Sequence, residues 1–142
     1  MTDYWFRVSK ACWLLLLVPV LLVLAGCGQG EGVQRFDVSG TVTYDGQPVP
    51  AGTVLFQPDE SQGGSGPAGV ATIKDGKYDT ATENGKGVVG GPHLVRIVGL
   101  DGKTIDDMTP MGIPLFPDYT TEVDFPKEDT THDFQVPADY KG

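Results

Sequence analysis

Cysteine is almost missing from this 142-residue chain: there are two, Cys12 and Cys27. A disulfide framework is thereby excluded for any product that loses its first residues, because one thiol cannot pair with itself. Histidine is equally scarce, with His93 and His132 only. Zinc centres take about four clustered Cys, His, Asp or Glu ligands, and no HExxH is present, so no metal site is expected. Positive charge is also short. Lys and Arg number 10 against 19 Asp and Glu, a net charge of −9. Such a surface repels phosphate backbones and anionic lipid headgroups, which argues against nucleic acid as a partner and against electrostatic membrane docking. No G-x-S-x-G elbow surrounds any serine. Ser39, Ser61 and Ser65 have no adjacent base, so no catalytic residue is assigned and the chain is not read as an enzyme. Outside the N-terminus no window repeats apolar residues at period 3.6, which excludes an amphipathic helical domain.

The N-terminus is where the long apolar run lies. Arg7 and Lys10 precede residues 11–25, ACWLLLLVPVLLVLA, 15 residues interrupted by Pro19. A membrane-spanning helix needs about 20 apolar residues, so the run fits a signal peptide better than a permanent span. It ends in Leu24-Ala25-Gly26-Cys27. This stretch resembles the bacterial lipobox. The resemblance implies a signal peptide over 1–26, diacylglyceryl transfer to the Cys27 sulfur, cleavage before Cys27 and acylation of the new amine. The membrane would then be a partner through covalent lipid, and no other cofactor is expected. One acyl chain holds only marginally at about 0.8 kcal/mol per CH₂, whereas two or three hold stably. Gly28 follows the cysteine. An Asp there tends to retain lipoproteins at the inner membrane, so the resemblance favours the outer membrane of the bacterial cell envelope.

The expected mature chain, 27–142, has 116 residues. It keeps 8 basic residues (10 less Arg7 and Lys10) and 18 acidic ones (19 less Asp3), for −10. That length suits one domain. Residues 27–35 read as the lipidated cysteine and a Gly-rich tether, 36–138 as the domain, and 139–142 as a tail. As a flexible coil, the eight residues of 28–35 span roughly 15 Å.

The domain reads as strands. Phe36, Val38, Gly40, Val42 and Tyr44 alternate with polar residues, the signature of a half-buried strand. Asp45-Gly46 and Asp75-Gly76 are hairpin turn signals. Further strands are expected at 53–57, on both sides of Asp75-Gly76, at 93–100, 120–125 and 131–136. Residues 93–100, HLVRIVGL, read as a central strand apolar on both faces except at Arg96. His132 shares parity with Phe134 and Val136, which predicts a partly buried ring. The predicted core is Val38, Val42, Phe56, Ile73, Tyr78, Val95, Ile97, Phe134 and Val136. The fold class is all-β, expected as a seven-strand immunoglobulin- or transthyretin-like β-sandwich.

VSGTVTYDGQPVPAGTVLF, IKDGKYDT and GVVGGPHLVRI, followed by PLFPDY and HDFQVP, occur in that order. The set resembles the carboxypeptidase regulatory-like domain, a transthyretin-like sandwich, and is similar to small lipoproteins of planctomycete-type bacteria. His93 departs from the aromatic residue often found at that position in the family. The resemblance implies a module without catalytic residues.

One loop stands out. Residues 101–119, DGKTIDDMTPMGIPLFPDY, carry Met108, Met111, Ile113, Leu115, Phe116 and Tyr119 among three prolines. Six large apolar side chains exceed what a solvated linker needs. Either they cover the domain's own end, or they form an interaction loop for a partner. Asp101, Asp106, Asp107 and Asp118 lie in the same stretch and raise the alternatives of a calcium site or solvated loop charges. The expected role is structural or protein-interacting at the envelope. The alternative is a carbohydrate- or peptide-binding module, with a hydrolase ranked last. An envelope protein or glycan is the implied partner.

Overall fold

The computed structural model describes residues 32–142. The expected signal peptide over 1–26, with Leu24, Ala25 and Gly26, as well as Cys27 and the first residues of the expected tether, lie outside these described residues. Among the described residues no helix is long and apolar enough to cross a membrane.

Among the described residues nine strands form: β1 (Val38–Tyr44), β2 (Gln47–Pro48), β3 (Ala51–Pro58), β4 (Gly69–Lys74), β5 (Lys77–Asp79), β6 (Gly91–Leu100), β7 (Tyr119–Phe125), β8 (Thr130–Thr131) and β9 (Phe134–Val136). The helical content among them is one 3-10 turn, Glu60–Gln62. Seven strands were expected. Seven make the path β2-β1-β5-β4-β3-β6-β7, and β8 and β9 pair with β1 beside it. Pairing along the path is antiparallel, while β8 and β9 run parallel to β1. The result is one connected, curled sheet.

Both Asp-Gly turns do what their sequence dictates. Asp45 and Gly46 have φ 50° and 72°, and Asp75 and Gly76 have φ 50° and 76°. Two residues with positive φ make the turn whose twist matches its flanking strands. Tyr44 is thus set opposite Gln47, and Lys74 opposite Lys77.

The predicted alternation buries one face. All nine residues of the predicted core are buried, joined by Val49, Val54, Ala71, Val88, Phe116 and Phe125. Five aromatic rings close a circuit through this core. Phe56 contacts Phe125 and Tyr78, Tyr78 contacts Phe134, Phe134 contacts His132, and His132 contacts Phe125, with centroids 4.7–6.0 Å apart. His132 is half-buried, as its parity predicted.

Three expectations need correction. β6 is central in pairing, flanked by β3 and β7, but only one of its faces is buried: Leu94 and Arg96 are exposed and Val98 and Leu100 half-buried, while His93, Val95 and Ile97 are buried. The single strand read at 131–136 is broken at His132-Asp133. There the main chain passes so close to Gly40 that a Cβ would overlap the His132 carbonyl oxygen, and Asp133 Oδ1 accepts from Thr41 N–H at 2.8 Å where a backbone carbonyl would otherwise serve. Neither end of the domain falls where composition put it. Arg35, assigned to the tether, donates to the carbonyls of Gly87 (2.6 Å) and Ala68 (3.1 Å). Tyr140, assigned to the tail, packs on the core and its hydroxyl donates to Asp118 O at 3.0 Å.

Register also sorts the connections into two poles. At one pole the chain enters: Phe36 bridges Val88, Asp37 N–H donates to Asp129, and Asp59 N–H donates to Pro92 O. At the other, Asp75 and Gly76 N–H groups donate to Pro50 and Val49 carbonyls, and β6 ends at Leu100 beside Ala51. The 101–118 connection leaves from this second pole, about 30 Å away by the length of β6.

Candidate functional site

The loop between β6 and β7 is built on carboxylates used as backbone anchors. Asp101 Oδ1 accepts from Lys103 N–H at 3.0 Å and from Ile113 N–H at 3.2 Å, tying the two arms together. Further rungs run from Asp101 N–H to Ile113 O and from Gly102 N–H to Met111 O, both 3.0 Å. At the tip, Asp106 Oδ1 accepts from Met108 N–H (2.9 Å), Thr109 N–H (2.8 Å) and the Thr109 hydroxyl (2.6 Å). Those bonds, the Thr109 hydroxyl first, hold the Asp106 carboxyl below the usual carboxylate range. The loop is therefore a stapled excursion with a defined tip.

Its apolar residues divide into two groups. Phe116 is buried, and Leu115 and Tyr119 pack against the core. Phe116 sits 4.9 Å from the Tyr44 ring, and Tyr119 lies edge-on to Tyr140 at 5.0 Å. These three strap the end of the sheet. Met111 and Ile113 are exposed, and Met108 is 90% exposed. The six side chains expected to act together thus do two jobs. Ile105, absent from that set, is 60% exposed and joins the tip. Its signal was an apolar residue directly before Asp106-Asp107, in the same stretch.

The four loop carboxylates do not converge. Asp101 and Asp106 serve the backbone, and Asp118 pairs with Arg96 at 3.1 Å. No group of three or more His, Cys, Asp or Glu side chains is poised to hold a metal ion among the described residues. His93 is 1% exposed. Its Nδ1 lies 2.8 Å from Gly91 O, which makes Nδ1 the protonated, donating nitrogen. Nε2 is buried without a partner, and the ring stands edge-on to Phe125 at 5.5 Å. His93 thus packs as an aromatic ring against Phe125.

Comparison with known proteins gives no match to any family model, curated protein or solved structure.

Proposed function

We propose that the chain is a lipid-anchored, non-catalytic envelope protein that presents the tip of the 101–118 loop to another envelope protein. The curled sheet with its single apolar face supports placing it among immunoglobulin- or transthyretin-like sandwiches of the carboxypeptidase regulatory-like kind. In that reading β2, β9 and the second half of β1 form one layer, and β5-β4-β3-β6-β7 the other.

The observation that carries the interaction role is the exposure of Met108, at 90%, on a tip stapled by Asp106. An apolar side chain held in water by a built turn gains by burial, roughly 1.5–3 kcal/mol when fully covered. A turn that is already ordered spends little conformational entropy on docking. The loop leaves the pole opposite the one where Phe36 leads into β1. A carbohydrate platform calls for an exposed aromatic. Among the described residues the exposed large apolar side chains are Val33, Leu94, Ile105, Met108, Met111 and Ile113, none of them aromatic.

Two experiments test the two halves. Mass spectrometry of the membrane-extracted protein is expected to show a chain beginning at acylated Cys27, with Cys27→Ser leaving an uncleaved precursor. An unmodified Cys27 in a mature chain overturns the anchor. A photo-crosslinking residue at 108 in native envelopes is expected to give one discrete protein adduct that Ile105→Asp abolishes. Absence of any adduct overturns the interaction role.

A further inference from the structure

The outward face of β1, β5 and β4 holds a trough of about 470 Å³, which no residue of the 101–118 loop lines. Ser39 and Thr41 of β1, Thr72 and Lys74 of β4, and Lys77 and Asp79 of β5 line it. Its size falls within the range of small-molecule sites, roughly 300–1,000 Å³.

The trough breaks a local rule at one end. The Asp75-Gly76 turn places Lys74 directly opposite Lys77. Like charges facing each other across a strand pair destabilise it. The chain has almost twice as many acidic as basic residues, yet no carboxylate lies within ion-pair distance of either lysine. Among the described residues the ion pair that does form is Arg96–Asp118. Neither lysine ammonium makes a hydrogen bond there. At the other end Asp79 lies two residues along β5 on the same face, roughly 7 Å from the Lys77 position at about 3.3 Å per residue. Asp79 Oδ1 accepts from Ala81 N–H at 2.8 Å, and its second oxygen is unused. Between the two ends stand the hydroxyls of Ser39 and Thr72, which both donate and accept, and that of Thr41, which donates to the Asp133 carboxylate that also lines the trough. A local conflict with no compensating contact marks a place shaped by something other than folding.

We propose that this trough binds a small zwitterionic peptide, with its carboxylate between Lys74 and Lys77 and its ammonium at Asp79. The roughly 7 Å is a spacing of backbone positions, and the exposed lysine side chains extend beyond it, so the charged ends accommodate an extended di- or tripeptide at about 3.3–3.6 Å per residue. The hydroxyls of Ser39, Thr41 and Thr72 face the peptide's amide groups. The carboxylate removes the repulsion between the lysines, and the ammonium finds the free oxygen of Asp79.

Titration calorimetry of the full-length, membrane-extracted protein with trialanine tests this. The expected result is binding with a dissociation constant below about 1 mM. Trialanine amide and N-acetyl-trialanine are each expected to bind at least about tenfold more weakly, about 1.4 kcal/mol per lost charge contact. Lys77→Glu is expected to abolish binding while the denaturation midpoint holds or rises slightly, since the residue is exposed and the change sets an opposite charge facing Lys74. Asp79→Asn is expected to remove the preference for the free amine and keep the preference for the free carboxylate. No heat with trialanine at any accessible concentration overturns the proposal. So does equal affinity for trialanine and its amide. Inorganic phosphate binding as tightly as trialanine also overturns it, because the site is then a simple anion site.

Discussion

The ring of Phe116 occupies the space that a side chain at residue 99 would need. A Cβ built on Gly99 would lie 2.5 Å from Phe116 Cζ and 3.1 Å from Val49 Cγ1. The strap of the 101–118 loop is therefore keyed into the end of β6 by an absence of side chain.

Gly99→Ala is expected to destabilise the domain by about 1–3 kcal/mol through overpacking. Phe116→Ala alone should cost about 3–5 kcal/mol. The double variant should cost clearly less than the two added together, because the small side chain then enters the space the ring vacated. Urea denaturation of the four proteins measures this, and strict additivity would refute the keyed contact.

Met108→Ala is expected to leave the denaturation midpoint within about 0.5 kcal/mol of the parent, as an exposed substitution should. Phe134→Ala, at 3% exposure within the ring circuit, should cost about 3–5 kcal/mol. A large loss at Met108 would mean that the tip is folded into the core.

The six loop residues show how far the sequence was legible. Alternation at period 2, with the Asp-Gly turn signals and the apolar runs at 53–57 and 93–100, located most of the strands and all nine predicted core residues, because a half-buried strand has to write its inner face into every second position. The loop has no period. Phe116 and Met108 look alike in composition, and the seat of Phe116 is provided by Gly99, 17 positions earlier in the sequence but adjacent in the fold. Val88 was hidden among glycines for a similar reason: its burial depends on the bridge to Phe36, a contact between distant segments. The break at His132-Asp133 was invisible because the residue pattern continues across it. What interrupts the ladder is a carboxylate replacing a carbonyl opposite Thr41. The lysine pair was legible in principle, since a two-residue turn in Lys-Asp-Gly-Lys sets its flanking residues face to face.

Acid should weaken the fold through Asp133. Its carboxyl lies below the ordinary value of 3.8, held there by the Thr41 hydroxyl and then by the Thr41 N–H. A depressed carboxylate contributes stability above its unfolded value and loses it as pH falls through the folded one. The denaturation midpoint is expected to drop as pH goes below about 4, in the range where carboxylates protonate. Asp133→Asn should flatten that part of the curve, and an unchanged slope would refute the assignment.

Alkali should act through Tyr78. Burial, and then the charge of Asp133, push its phenol well above the ordinary value of 10.0, while the hydroxyl donates to His132 O at 2.6 Å. A raised folded value gives stability that is complete below the unfolded value and lost as pH rises beyond it. Midpoints should therefore fall above about pH 10, where an exposed tyrosine ionises. Tyr78→Phe should remove the contribution and cost about 1–3 kcal/mol at neutral pH by orphaning the carbonyl.

The parallel pairing of β1 with β8 and β9 has a mechanical consequence. Chain entry lies at one pole and the loop at the other, so a pull between them runs along β1. Its hydrogen bonds to β5, β8 and β9 then lie across the load and must yield together, as a shear, instead of opening one after another from an end. Resistance of that kind is set by the unfolding rate and not by equilibrium stability. A domain wired this way would transmit tension from one pole to the other without paying out chain.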